Sequence, residues 1–344
     1  MASPIPGDTH LLLLTWIVTV VMQLSFFTVA AYFKFDKVTD FAGGTNFVLL
    51  AILTLTVGEN YHWRQVAVTC CVVAWGLRLS AYLLYRIIKI GKDDRFDDTR
   101  ESFWKFLGFW VFQMIWVWTV SLPVTFLNTT ETDPGVSVGD VAGLAMYAVG
   151  LVVETVADQQ KFKFKMENRG GFCNVGLWGL SRHPNYFGEL LLWWGLFTTC
   201  ATVFGPAGDE GEGDWGYATI AGPLLLMTLL LFVSGIPPLE QSSDSKYGAR
   251  EEYREWKERT SVLVPLPPAL FEGLPQSAKA WLFCEWPMYQ GITPEGMQGY
   301  EEAKSSSQAD PEDPAVVSEL HDSATGPATG GKGPGPTFKP GPEA

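Results

Sequence analysis

The nonapeptide Ser181-Arg182-His183-Pro184-Asn185-Tyr186-Phe187-Gly188-Glu189 puts polar and ionisable side chains where a strongly apolar run begins. Ionisable groups at membrane depth are costly and mark function by default. Ser181 or His183 can cap a helix with Pro184 in its first turn, and Asn185 and Glu189 then share one face. Arg182 and His183 stand at the positive end of that helix, where free N–H groups and the dipole favour an anion such as a phosphate. Glu189, deeper in, can bind sugar or amide groups. Taken singly, Arg182 reads as a marker of the cytosolic boundary; the cluster as a whole reads as a site because Glu189 falls inside the span.

Three other constellations bear on the same chemistry. Glu154, Asp158, Lys161 and Lys165 recur at helical spacing and make one stripe, two acids for nucleotide hydroxyls followed by two bases for phosphates. A self-neutralising stripe whose lysines snorkel to headgroups explains Lys161 and Lys165 equally well, which leaves Asp158 as the stronger candidate. Trp75, Arg78 and Tyr82 also share a helical face, and Asp93 and Arg95 follow in the next loop. An arginine in an apolar run needs a partner: Glu154, Glu189 or a bound phosphate for Arg78, while positive-inside anchoring explains the loop. Further on, Glu240 and Tyr253 can belong to a lid over the bundle, although an exposed amphipathic helix is the simpler reading of the charges around them. The histidines are scattered without metal spacing, and neither a dinucleotide fingerprint nor a phosphate loop occurs, so any nucleotide is gripped by helix ends and loops.

These side chains need a scaffold, and composition says which: 47% hydrophobic residues against 18% charged define a membrane profile. Hydropathy resolves about seven near-spanning segments, at 10–33, 44–58, 65–85, 103–127, 138–157, 186–204 and 217–236, the second being short. The expected fold is an all-α integral membrane bundle. Lys34 and Lys37, then Arg86 to Arg100, then Lys161 to Arg182 load alternate loops with positive charge, which predicts a luminal amino terminus and a cytosolic carboxyl terminus. The net charge of -13 arises largely from residues 209–214 and the tail and reads as a solubility feature. No nucleic-acid partner is expected. Five cysteines, an odd number in or beside apolar segments, imply no disulfide framework. The first apolar segment lacks a basic leader and a cleavage site and reads as a retained helix. Asn128 begins a glycosylation sequon that abuts the fourth span too closely for modification. Trp256, Trp281, Phe283 and Trp286 suit a surface or interfacial segment, and from about residue 298 the Ser, Glu, Gly and Pro content predicts a disordered tail.

Trp75-Gly76-Leu77-Arg78-Leu79, Asp93 with Arg95-Phe96, Glu154 with Asp158-Gln159-Gln160-Lys161-Phe162, the run from Gly176 to Glu189, Ser234-Gly235-Ile236-Pro237 with Leu239-Glu240, and the ending from Tyr253 to Pro265 resemble an uncharacterised branch of the steroid 5-alpha-reductase superfamily. The resemblance implies a seven-helix membrane fold, a cytosol-facing NADPH pocket, and reduction of a carbon–carbon double bond conjugated to a carbonyl in a steroid-like or other lipid substrate. It places Asn185, Tyr186 and Glu189 in the cofactor motif, and Asp158 and Lys165 where an acid and a base meet the nucleotide. Glu59 and Tyr82 have the residue types of the superfamily's carbonyl-polarising pair, without the surrounding motif. The Arg-His-Pro-x-Tyr start is also similar to isoprenylcysteine carboxyl methyltransferases and phospholipid methyltransferases, which use S-adenosylmethionine; a non-catalytic lipid-binding protein is a third reading. The implied division is 1–64 for amino-terminal spans outside the match, 65–268 for the reductase-like core, 269–299 for the interfacial segment and 300–344 for the tail. The resemblance also implies the endoplasmic reticulum.

Overall fold

The computed structural model describes residues 4–33, 39–90, 102–168, 170–204 and 215–289. Asp93, Arg95 and the tail assigned to disorder lie outside the described residues. The architecture is all-α: α1 (Leu12–Phe33), α2 (Thr39–Gly58), α3 (Trp63–Ile90), α4 (Phe103–Thr129), α5 (Val138–Glu167) and α6 (Pro184–Ala201). A broken run follows: α7 (Trp215–Ala218), α8 (Ala221–Thr228), a π-turn at Leu229–Val233 and α9 (Ile236–Tyr247). Then come α10 (Glu251–Arg259), α11 (Pro268–Glu272) and α12 (Gln276–Phe283). Among the described residues the sole β-pairing is an isolated parallel bridge between Ser181 and Ser261.

Among the described residues, six stretches are long and apolar enough to cross a membrane: Leu12–Phe33, Phe41–Gly58, Trp63–Arg86, Phe103–Thr129, Val138–Glu167 and Trp215–Tyr247. The chain is therefore an integral membrane protein. The sequence counts α6 as a further span, but Asn185, Tyr186 and Glu189 dilute its apolar content and it falls outside the six. No residue of α6 is exposed, so protein packs it on every side. The second span, short by hydropathy, begins earlier than expected because the helix extends back through Gly43 to Thr39, whose carbonyl accepts from Gln113 Nε2 of α4 at 2.9 Å.

Glycines explain how α6 is held. Gly143 and Gly150 on α5 meet Gly195 and Gly188 on the antiparallel α6, each pair seven residues apart. A Cβ built on Gly150 would stand 2.6 Å from the Gly188 carbonyl oxygen, and one on Gly188 would stand 2.6 Å from the Glu154 backbone nitrogen. With hydrogens in place of side chains the two backbones touch, the device by which small residues let helices approach closely in membranes. Beside this seam sits an aromatic centre: Phe47 is 5.3 Å from Trp75, 5.3 Å from Trp116 and 5.2 Å from Trp193, ring centroid to ring centroid. Trp75 and Trp193 are 5.1 Å apart and edge-on.

One end of the bundle is clasped by charge. Arg64, fully buried, donates from Nε to Asp140 Oδ1 at 2.7 Å and from Nη1 to Asp133 Oδ1 at 2.9 Å. Asp140 completes a capping box with Ser137 at the start of α5 and accepts from Thr202 Oγ1 at 3.0 Å. Asn128 is buried at this end and donates to Thr54 Oγ1 at 2.9 Å, so its amide is closed to glycosylation. At the other end, residues 180–183 lie beside 261–266: Arg182 N–H donates to Ser261 O at 2.8 Å and His183 N–H to Val262 O at 3.0 Å. This strap fixes the start of α6.

Candidate functional site

Trp75, Arg78 and Tyr82 face α5 from one stripe of α3, as their spacing requires. The edge-on packing of Trp75 in the aromatic centre directs its indole N–H to Glu154 Oε2 at 3.2 Å. Arg78 pairs through Nη2 with Glu154 and through Nη1 with Asp158 Oδ2 at 2.8 Å. Tyr82 donates its hydroxyl proton to the Asp158 carbonyl oxygen at 3.2 Å. The glycine seam sets Glu154 directly against Gly188, so the next residue of α6, Glu189, enters the same charged group and feels Arg78, Asp158 and Glu154. Two carboxylates thus grip one guanidinium with a third, Glu189, within electrostatic reach, and among the described residues the Arg78 Nε proton finds no acceptor.

Asn185 and Glu189 differ from their neighbours in having nothing to bond: neither side chain makes a hydrogen bond among the described residues. Both are partly accessible and occupy the first two turns of α6. Tyr186 lies against His183, ring centroids 5.7 Å apart and nearly parallel. Lys165 is exposed and carries no salt bridge among the described residues, whereas Lys161 spends its ammonium on the Trp178 ring at 4.2 Å.

Four residues assigned to cofactor binding are engaged elsewhere. Arg182, 2% exposed, bonds Glu285 Oε1 at 2.9 Å and the Lys257 carbonyl at 2.8 Å and lies 3.3 Å from Glu240 Oε2. His183 Nε2 meets Glu240 Oε1 at 2.7 Å. Lys257 reaches Asp244 Oδ1 at 2.6 Å, and Tyr253 donates to the same oxygen at 2.8 Å. Burial holds the His183 imidazole below its ordinary value, outweighing the pull of Glu240. For Arg182 the effect of burial is exceeded by Glu240 and Glu285, which hold the guanidinium charged. Burial and the neighbouring Asp244 push the Tyr253 phenol far up. Arg182, His183, Glu240 and Tyr253 therefore form a closed internal network, because a buried cation must find its counter-charge inside the fold. A cleft of about 420 Å³ opens beside this network between Val233, Pro237, Pro238 and Met288. Glu240 and Asp244 reach its wall.

Glu59 is the outlier. It sits exposed between α2 and α3 with a left-handed backbone, φ 55°, at the Arg64 end of the bundle. Tyr82 lies toward the other end of α3, about 28 Å along the helix from Trp63 at 1.5 Å per residue. The two side chains assigned to one carbonyl do not meet. What the sequence reading missed is Arg64 with Asp140; the spacing of Ser137 and Asp140 before an apolar run was the available signal.

Fold and site together define a polytopic all-α membrane protein with a charged group of α3, α5 and α6 packed around the start of α6. The chain belongs to the protein family of unknown function DUF1295, whose model matches residues 26–260. No curated protein and no solved structure matches it.

Proposed function

We propose that this protein is a membrane-embedded, NADPH-dependent reductase of a carbon–carbon double bond conjugated to a carbonyl in a steroid-like or other lipid. The observation that carries the reading is that Asn185 and Glu189, one helical turn apart, have no protein hydrogen-bond partner among the described residues, and that Glu189 lies within electrostatic reach of Arg78 and Asp158. Both side chains are partly accessible, so their polar atoms are open to a ligand, and an amide and a carboxylate on one helix face fit the amide and hydroxyl groups of a dinucleotide. Asn185, Glu189 and the exposed Lys165 are the residues we assign to holding it; Arg182, His183, Glu240 and Tyr253 bond to one another and to Glu285, Lys257 and Asp244, and take no part in this assignment.

When bound, NADPH supplies a hydride for the beta carbon of the unsaturated carbonyl compound. The chain's own part is to orient and polarise. Arg78 fixes Glu154 and Asp158, and Trp75 adds a second hydrogen bond to Glu154, so the carboxylates cannot swing. We assign the carbonyl-polarising role to Tyr82 rather than Glu59; its one hydroxyl proton is donated to the Asp158 carbonyl oxygen and would have to turn to the substrate. We place the site in the cytosol-facing half of an endoplasmic reticulum protein, with the amino terminus luminal.

Thermal unfolding of the detergent-purified protein with NADPH, NADH and S-adenosylmethionine tests the reading. Stabilisation by NADPH that Glu189→Gln or Asp158→Asn abolishes is the expected result. Stabilisation by S-adenosylmethionine alone would transfer the case to lipid methylation, and no response to any of the three would point to a non-catalytic lipid-binding protein.

A further inference from the structure

The aromatic residues after the last span point in different directions. Trp256 faces inward and donates from Nε1 to the Trp178 carbonyl at 3.0 Å. Phe283 packs on Phe271 with ring centroids 5.8 Å apart. Trp286 stacks on Phe232, centroids 4.9 Å apart and planes 14° from parallel. Left outside are Trp281, 84% exposed, Leu282, 67% exposed, and Leu270, 61% exposed.

We propose that α11 and α12 lie on the membrane leaflet at the strap end of the bundle, with Trp281 and Leu282 seated at the level of the lipid headgroups. The occupant follows from continuity with the membrane-spanning surface. Phe232 is exposed within the Trp215–Tyr247 stretch, which is long and apolar enough to cross the membrane, so the medium around it is lipid. Trp286, stacked on Phe232, is therefore held at that leaflet, and five residues of chain span at most about 17 Å, which keeps Trp281 beside it. An indole has an apolar body and one N–H donor, the chemistry that favours the boundary between acyl chains and headgroups. The attachment is tied to α6. Cys284 adopts a left-handed backbone, φ 58°, that turns the chain so that Glu285 returns to Arg182 Nη2 at 2.9 Å. Lipid contact at Trp281 thus bears on the residue that fixes the first turn of α6. None of this depends on the chemistry assigned to Glu189.

The test uses the full chain in phosphatidylcholine nanodiscs. In a background with its five cysteines replaced, Trp281→Cys and Leu282→Cys carry a nitroxide, and collision rates with oxygen and with a water-soluble nickel chelate are compared. Positions 281 and 282 should favour oxygen, as should Val149→Cys on the exposed face of α5, whereas Glu258→Cys on α10 should favour nickel. Nickel preference at 281 and 282 overturns the proposal, and so does shielding from both probes, which would mean that protein covers the segment. Trp281→Phe, which keeps every cysteine, gives an independent reading. Its difference from the parent should be a fluorescence component quenched by lipids brominated near the headgroup, and an unquenched component overturns the proposal as well.

Discussion

Gly188→Ala tests the seam on which the site is built. A methyl group there would stand 2.6 Å from the Glu154 nitrogen, 2.7 Å from the Gly150 oxygen and 2.9 Å from Glu154 Cβ, against an ordinary contact of 3.4 Å or more. Backbone atoms on both sides cannot rotate away, so α5 and α6 must part by about 0.8 Å, enough to forfeit a quarter to a half of the dispersion attraction along the seam. Overpacking of this kind costs about 1–3 kcal/mol, and the absence of a rotamer escape puts the change near the upper figure. Replacing a helical glycine returns about 1 kcal/mol. The net loss of about 2 kcal/mol corresponds to a fall in Tm of about 4–8 °C. Gly108→Ala on α4 is the control, because a Cβ there meets nothing within 4 Å. It should leave Tm unchanged or raise it slightly. Thermal unfolding of both variants in the same detergent decides the matter: a Gly188→Ala protein as stable as Gly108→Ala would refute the backbone-to-backbone seam.

The remaining expectations concern charge. Arg182→Met strands the buried Glu285, while Glu240 keeps Lys257 at 3.1 Å and His183 at 2.7 Å; the change should cost about 3–5 kcal/mol, read as a large drop in Tm, and unchanged stability with lost NADPH response would return Arg182 to the cofactor. Arg64→Met should be comparably damaging, since it leaves Asp140 and Asp133 uncompensated, and a neutral outcome in thermal unfolding would remove the clasp from the account. His183 binds its proton more weakly in the folded protein than in the unfolded chain, so the unfolded state takes up more protons below pH 6.5 and stability should fall as pH drops through and below that value. His183→Gln should flatten the profile of Tm between pH 7.5 and 5. Glu59→Gln should leave the NADPH-dependent shift in Tm intact, and its loss would contradict the separation of Glu59 from the site.

Hydropathy made the spans legible, and helical spacing made the Trp75, Arg78, Tyr82 stripe legible, because both depend on local periodicity alone. The pairing of Arg78 with Glu154 was among the partners the sequence allowed; which partner it takes depends on how α3 and α5 rotate against each other, and that is set by the Phe47, Trp75 and Trp193 packing. Arg182 illustrates the opposite case. Its carboxylate partner Glu285 lies 103 residues further along, and no spacing rule spans that distance. The glycines at 143, 150, 188 and 195 show their period of seven in the sequence, yet only the antiparallel docking of two helices shows that the two periods coincide. Glu59 fits by residue type but stands at the Arg64 end of the bundle, away from Tyr82, a separation hidden in the sequence because one-dimensional order does not tell which end of a bundle a loop occupies.

The clasp between 180–183 and 261–266 has a consequence for biosynthesis. When α6 leaves the ribosome, the carbonyls of Lys257 and Thr260 and the carboxylate of Glu285, all of which receive Arg182, have not yet been made. Glu240 emerges first and can meet the guanidinium, but the hydrogen-bonded set of Arg182 closes only when roughly a hundred more residues have emerged, so the start of α6 matures late, and a product that ends between residues 240 and 285 leaves Arg182 with Glu240 as its carboxylate and without Glu285.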